Sequence, residues 1–230
     1  MSIHDGHRQR MKERFFHEGL DHFSEFEALE VLLYYAIPRK DTNPIAHALI
    51  DCFGSLEQVL DAPVEELEKV PGITRNVAVL MKLVTELGRW YLVKRVENIK
   101  ILKTIKECGE YLKPYFFGRV NETVYLLCLD AKCKVLACRE VGEGSVNSAN
   151  VPIRRIVEIA LGVNATSVIL AHNHPSGVAI PSQEDIATTR RVAAALSTVD
   201  VHLVDHIVVA DDDFVSMVQS GYRFDDCVIV

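Results

Sequence analysis

The stretch Ser167-Val168-Ile169-Leu170-Ala171-His172-Asn173-His174-Pro175-Ser176-Gly177-Val178-Ala179-Ile180-Pro181-Ser182-Gln183-Glu184-Asp185 joins an apolar run to a polar helix start through two histidines. Ser167 to Ala171 has the length and residue types of a buried strand, and that strand is expected to end at His172. On an extended chain residues i and i+2 face the same side, so both imidazoles converge beyond the strand's C-terminal end. Open α/β sheets place their ligands there. Pro175-Ser176-Gly177 turns the chain, and Pro181 leads into a helix predicted over Ser182 to Leu196. Asp185 falls in the first turn of that helix, where its carboxylate can swing back toward the histidines. Two neutral imidazoles and one carboxylate, with a fourth position left for water, make the ligand count of a catalytic zinc site.

Each part of this pattern has a plainer reading. Ser182-Gln183-Glu184-Asp185 is also a Ser-x-x-acid helix start, which caps a helix without further function. A His-x-His pair by itself is a weak metal signal. The spelling His172-Asn173-His174 matches the name of a nuclease class by coincidence of letters. Those nucleases spread the three residues over a longer ββ-metal unit.

Working outward, the chain shows two textures. Up to about residue 97 it reads as helical, over Glu25 to Tyr35, Asn43 to Phe53, a short segment from Ser55, Val64 to Lys69, and Asn76 to Leu92. Ser55 is a candidate cap, and Pro38, Gly54 and Pro71-Gly72 interrupt the runs. From about residue 100 strands and helices alternate. A helix over Ile101 to Tyr111 ends before Pro114. Glu122 to Leu129 and Cys133 to Val141 form a hairpin about Asp130-Ala131-Lys132, with Gly142 and Gly144 in the loop beyond. A helix covers Ile153 to Leu161. Strands cover His202 to Ala210 and Phe214 to Val218, separated by the acidic turn Asp211-Asp212-Asp213. The pattern predicts two domains, 1–98 helical and 99–230 an α/β layer structure; the mixed sheet flanked by helices is what the family resemblance given below implies.

Composition narrows the functional classes. Lys+Arg 25 against Asp+Glu 32 gives a formal charge of −7 over 230 residues. Residues 1–100 hold 13 basic and 16 acidic side chains, and residues 101–230 hold 12 and 16, so neither half is a basic module. This argues against a dedicated high-affinity nucleic-acid binder. No apolar run reaches the roughly 18 residues of a membrane span, and the polar start Met1-Ser2-Ile3-His4 lacks a signal-peptide core. A cytoplasmic protein is expected, with reduced cysteines. The six cysteines include no Cys-x-x-Cys pair, so most or all of them read as small buried hydrophobes and not as metal ligands. Zinc base deaminases need His-x-Glu and Pro-Cys-x-x-Cys, and neither occurs.

His172, His174, Ser182 and Asp185, spaced His-x-His, seven residues, Ser, two residues, Asp, resemble the motif of the MPN/JAMM metalloproteases. The longer context Ala171 to Gly177 and Leu203-Val204-Asp205-His206-Ile207 resembles the RadC-like (DNA repair protein RadC) branch. The resemblance implies an MPN/JAMM-type fold for 99–230, with His172, His174 and Asp185 binding Zn2+. It implies that Ser182 supports the bound water or the oxyanion. It also implies a glutamate general acid/base on an earlier strand. Glu122 is the best match, and Glu140 and Glu158 compete with it. Asp205-His206 is a candidate pair for orienting a ligand, or simply a satisfied histidine on a buried strand. The sequence departs from the branch at Val151-Pro152-Ile153-Arg154, where His-Pro-Arg-Glu is common, and at the more apolar Val178-Ala179-Ile180.

The helical half is expected to carry a helix-hairpin-helix. Leu67 to Ala78 resembles that motif, in which backbone N–H groups at a helix N-terminus hold a DNA phosphate. Gly72, Thr74 and Arg75 are the candidate contacts, and Thr74 stands where a second hairpin glycine is usual. A side chain there limits backbone approach or demands a strained φ. Leu67, Val70 and Ile73 read equally well as core. The basic stretch His7 to Arg14 either adds phosphate contacts or is a solvated helix face. The sequence thus predicts a zinc-dependent hydrolase of amide or isopeptide bonds acting on a peptide or protein. A DNA-associated protein with a structural or vestigial metal site is the alternative.

Overall fold

The computed structural model describes residues 3–143 and 152–224. Gly144, Val151 and Cys227 lie outside the described residues. Packing divides the chain into two compact units, Met1–Leu87 and Gly88–Val230.

The first unit is helical. Its elements are α1 (Ile3–Glu18), α2 (Glu25–Ala36), α3 (Asn43–Phe53), α4 (Leu56–Asp61), α5 (Val64–Leu67) and the first part of α6 (Arg75–Val96). Ser24 starts α2 through a capping box with Glu27, which satisfies amide groups that a helix start leaves unpaired. Leu29 and Leu33 of α2, Leu49 of α3, Val59 of α4, Leu67 of α5 and Met81 of α6 meet in one buried core. The same helix α6 runs past the division. The texture change near residue 98 and the packing division at 87/88 differ because Val93, late in α6, is buried in the core of the second unit.

The second unit continues with α7 (Ile105–Phe116), β1 (Thr123–Leu129), β2 (Val135–Glu143), α8 (Ile153–Gly162), β3 (Ser167–Asn173), α9 (Gln183–Ser197), β4 (His202–Ala210) and β5 (Asp213–Ser216). The strands form one sheet in the order β2-β1-β3-β4-β5. Only β3 and β4 run parallel; the other neighbours are antiparallel. Every residue of β1 is buried, which explains its nearly unbroken apolar sequence: both faces of this part of the sheet are covered. Leu126, Cys128, Val168 and Leu170 point toward Ile156 of α8 and Val192 and Leu196 of α9. Tyr125, Leu127, Ile169, Ala171 and Ile207 point toward Tyr111, Leu112 and Phe116 of α7.

Several boundaries differ from the sequence reading. Thr104 caps α7, and the helix runs through Pro114 to Phe116. Tyr115 and Phe116 are buried, and their burial carries the last turn past a proline that lacks one helix hydrogen bond. β2 continues through Gly142 to Glu143, paired with Val124 and Thr123. β3 does not stop at His172 but includes Asn173, paired with Val209 of β4.

Candidate metal centre

The register sets the site. Val124 pairs with His172 across the antiparallel β1–β3 ladder, and directly paired residues show their side chains on the same face. His172 therefore lies on the face that α8 and α9 cover, one step beyond Leu170. His174 follows two residues later. It is tied down by its own amide, which donates to the Val209 carbonyl at 2.8 Å.

Asp185 arrives from the opposite side on α9. Ser182 caps that helix: the Asp185 amide donates to Ser182 Oγ at 3.1 Å. In return, the Ser182 amide and hydroxyl both donate to Asp185 Oδ2 at 2.7 Å. The capping reading and the site reading thus describe one structure. The capping box holds the buried carboxylate in place, and Oδ1 is left 3.2 Å from His172 Nε2. The hydroxyl proton of Ser182 is spent on Asp185 in this arrangement and is not presented to a water or an oxyanion.

His172 Nε2 and His174 Nε2 are 2.9 Å apart, and His174 Nε2 is 3.5 Å from Asp185 Oδ2. One ligand atom from each of the three residues lies within 4.8 Å of the others. Bonds of about 2.0–2.1 Å to a tetrahedral ion separate ligand atoms by roughly 3.4 Å, so the spacing fits a small divalent cation. The chemistry fits too. His174 Nδ1 lies 2.9 Å from the Val178 carbonyl, which can only accept. Nδ1 carries the proton, and Nε2 presents a lone pair to the centre. Burial pushes the His172 imidazole down to about 4, with Asp185 opposing the shift, so this ring is neutral at pH 7.

Glu122 immediately precedes β1 and is half-buried. The segment that carries it is pinned by Asn173, the middle residue of the histidine tripeptide. Asn173 Oδ1 accepts the Thr123 amide at 2.7 Å. Its Nδ2 donates to the Arg119 and Asn121 carbonyls at 3.2 Å each. Glu140 accepts from Arg119 at 2.8 Å and from the Tyr125 hydroxyl at 3.1 Å, and Glu158 pairs with Arg154 on exposed α8 surface.

The Asp205-His206 pair splits into two duties. His206 Nε2 is 2.8 Å from His172 Nδ1, while its Nδ1 is 2.5 Å from Thr189 Oγ1. Burial keeps the His206 ring well below its ordinary value and neutral. Asp205 does not touch either ring. It accepts the His206 and Val218 amides at 2.7 and 3.0 Å and the Ser216 hydroxyl. It thus secures β5 and the turn after it, while burial raises its carboxyl above the usual range. Thr189 carries no sequence signal beyond its place one helical turn after Asp185, and sequence reasoning missed it.

In the helical unit Gly72 and Thr74 lie in the turn between α5 and α6, and Arg75 opens α6. Gly72 has φ +96°, where a Cβ would lie 2.8 Å from Ile45 Cδ1. Thr74 is not among the described non-glycine residues with positive φ, so no strain arises from the missing second glycine. Arg75 is exposed, 3.7 Å from Glu68. Arg8 is turned inward, donating to the carbonyls of Ile37, Pro38 and Lys40 at the end of α2. Arg14 pairs with Glu27 and Glu18. These two arginines tie α1 to α2 and are not a free basic face.

Residues 102–222 match the family model described as the RadC-like JAB domain. The chain belongs to the RadC-like family. It is 34% identical over 223 residues to a UPF0758 protein of Fusobacterium nucleatum, covering 94% of this chain and 96% of that one. A UPF0758 protein of Ruegeria pomeroyi is 33% identical over 216 residues, covering 94% and 96%. One from Stutzerimonas stutzeri is 34% identical over 223 residues, covering 96% and 100%. The JAB domain fits the MPN/JAMM superfamily of metal-dependent hydrolases, and the mixed sheet with its His-His-Asp group agrees with that membership. Among the described residues no helix is long and apolar enough to cross a membrane.

Proposed function

We propose that this chain is a zinc-dependent hydrolase that cleaves amide or isopeptide bonds in a peptide or protein. The observation that carries the proposal is the convergence of His172 Nε2, His174 Nε2 and the Asp185 carboxylate at the C-terminal end of β3. Two neutral rings and one carboxylate are the open ligand set of catalytic zinc, not a closed structural site. A zinc ion bound there would supply a Lewis acid and a water of lowered pKa.

The chain's own residues do the rest. His172 and His174 offer lone pairs, and Asp185 offers one negative charge. Glu122, on the segment that the Asn173 side chain pins, takes the proton of the attacking water. It then returns that proton to the leaving amine. Ser182 holds Asp185, and it can assist an oxyanion only by turning its hydroxyl away from Oδ2. Val178 and Ile180, exposed in the loop after His174, supply apolar surface beside the scissile bond.

The test is a Glu122→Gln variant assayed on fluorogenic peptides and on a lysine-ε-linked isopeptide, with zinc measured by elemental analysis. Zinc content is expected to stay at the wild-type level while turnover falls roughly 10²–10⁴-fold. Full turnover in the variant would remove Glu122 from the mechanism. Equal zinc in wild type and His174→Ala would remove the metal site itself.

A second reading concerns the helical unit alone. The Gly72 turn, with exposed Arg75 after it, supports weak association with a DNA backbone. This reading predicts salt-dependent DNA binding that Arg75→Ala weakens. Unchanged affinity would reject it.

A further inference from the structure

We propose that His206 and Thr189 form a positioning relay that fixes the ring tautomer of His172, and through it the site's hold on a divalent cation. The proposal rests on the reading of His172, His174 and Asp185 as a metal site.

The protons of the buried groups can be placed one by one. A cation at the centre requires a bare nitrogen at His172 Nε2, so the ring's proton must sit on Nδ1. That N–H faces His206 Nε2 at 2.8 Å, which must then be the acceptor. A neutral His206 accepting at Nε2 carries its proton on Nδ1. This second N–H faces Thr189 Oγ1 at 2.5 Å, and the hydroxyl accepts it. The Thr189 proton then goes to the Asp185 carbonyl, also 2.5 Å away. The other partner in reach, Met217 Sδ, is a weak acceptor at 3.9 Å. Each of the three relay donors finds an acceptor, and only this order of donors leaves His172 Nε2 bare.

The reverse order is the competing state. If Thr189 donated to His206 and His206 to His172, the His172 proton would sit on Nε2. It would point at His174 Nε2 and Asp185 Oδ1, 2.9 and 3.2 Å away, and occupy the space a cation needs. It would also leave the Thr189 and Asp185 oxygens 2.5 Å apart with no proton between them. The relay therefore biases the site toward the binding state.

The relay also closes on itself. Asp185 and Thr189 are one turn apart on α9, so a single helix supplies both the ligand carboxylate and the anchor of the relay. His206 is paired with Leu170 in the β3–β4 register, which sets it beside His172 on the face that α9 covers. Partners that orient ligating histidines usually matter by roughly 10–100-fold in metal affinity.

The experiment uses the full chain loaded with Zn2+ or Co2+ alone. Affinity is measured by competition with a chromophoric chelator, and histidine tautomers by long-range ¹H–¹⁵N NMR. In the zinc-loaded wild type His172 is expected to show a protonated Nδ1, bonded to a bare His206 Nε2. His206→Leu is expected to weaken Zn2+ roughly 10–100-fold. His206→Gln, which keeps an acceptor near the Nε2 position, is expected to recover most of that loss. A merely structural role would move neither the tautomer nor the pattern of rescue. If His206→Leu does not fold, Thr189→Val reads the same relay one step away, with weakened Zn2+ binding expected. Unchanged affinity in a folded His206→Leu or Thr189→Val variant overturns the relay. So does a zinc-loaded His172 without a proton on Nδ1. A wild type that binds neither Zn2+ nor Co2+ overturns the metal site instead.

Discussion

Replacing Asn173 should damage the protein while sparing the metal ligands on either side of it. The side chain is 5% exposed and makes three hydrogen bonds to the 119–123 segment. Asn173→Ala removes all three and strands the amide of Thr123, a residue with no exposure. At about 0.5–1.5 kcal/mol net per hydrogen bond, with a larger cost for a buried donor left unpaired, the expected loss is about 2–4 kcal/mol. Urea unfolding with linear extrapolation measures it directly. Hydrogen exchange should report the same event locally, with the Thr123 amide losing protection. Asn173→Asp separates the two halves of the staple. It keeps an acceptor for Thr123 but turns a carboxylate oxygen toward the carbonyls of Arg119 and Asn121, so it should not rescue stability. On the proposed zinc reading, metal binding should stay close to wild type in both variants, because the convergence of His172, His174 and Asp185 does not use the Asn173 side chain. A folded Asn173→Ala within about 0.5 kcal/mol of wild type would refute the staple, and with it the account of how Glu122 is positioned.

Packing and charge give further outcomes. Gly109→Ala should cost about 1–3 kcal/mol in a thermal or urea melt, because a Cβ there would lie 2.3 Å from the Phe214 ring; a neutral result would mean that α7 and β5 shift apart freely. Among the described cysteines, Cys52 and Cys133 should label quickly with a thiol reagent in the native state. Cys108 and Cys128 should label only on unfolding, since both are buried and burial raises their thiols to about 12 and about 11; rapid native labelling of either would contradict the core. Metal-free protein should lose stability as pH falls from about 6.5 toward 4. His172 is neutral in the fold and titrates at about 4, whereas the unfolded ring takes a proton near 6.5. The unfolded state therefore binds more protons across that window, and stability falls with pH by up to roughly 3 kcal/mol. Flat urea midpoints between pH 7 and 4.5 would contradict the buried, neutral ring.

Local chemistry made much of this protein legible. The Asp-Ala-Lys hairpin, the Ser55 cap and the apolar run of β1 all express preferences that act within a few residues. The ligand set was legible for the same reason. His172 and His174 sit at period two on a strand, and Asp185 sits three residues after its own cap, so strand and helix geometry alone aim them at one region. The misplaced ends of α7 and β2 show where that legibility stops. Pro114 and Gly142 are local breakers, and burial of Tyr115 and Phe116 and pairing with β1 overrode them.

Spacing along single segments fixed the two textures, the convergence of His172, His174 and Asp185, and the helix cap that holds Asp185. Only the tertiary structure decided what surrounds them. It set His206 against His172 from 34 positions away and Asn173 against Thr123 from 50, turned Arg8 onto the end of α2, and gave Asp205 to β5 and not to a ligand. Such partners are chosen by strand order and register, which bring distant residues into contact without leaving any periodic mark in the chain.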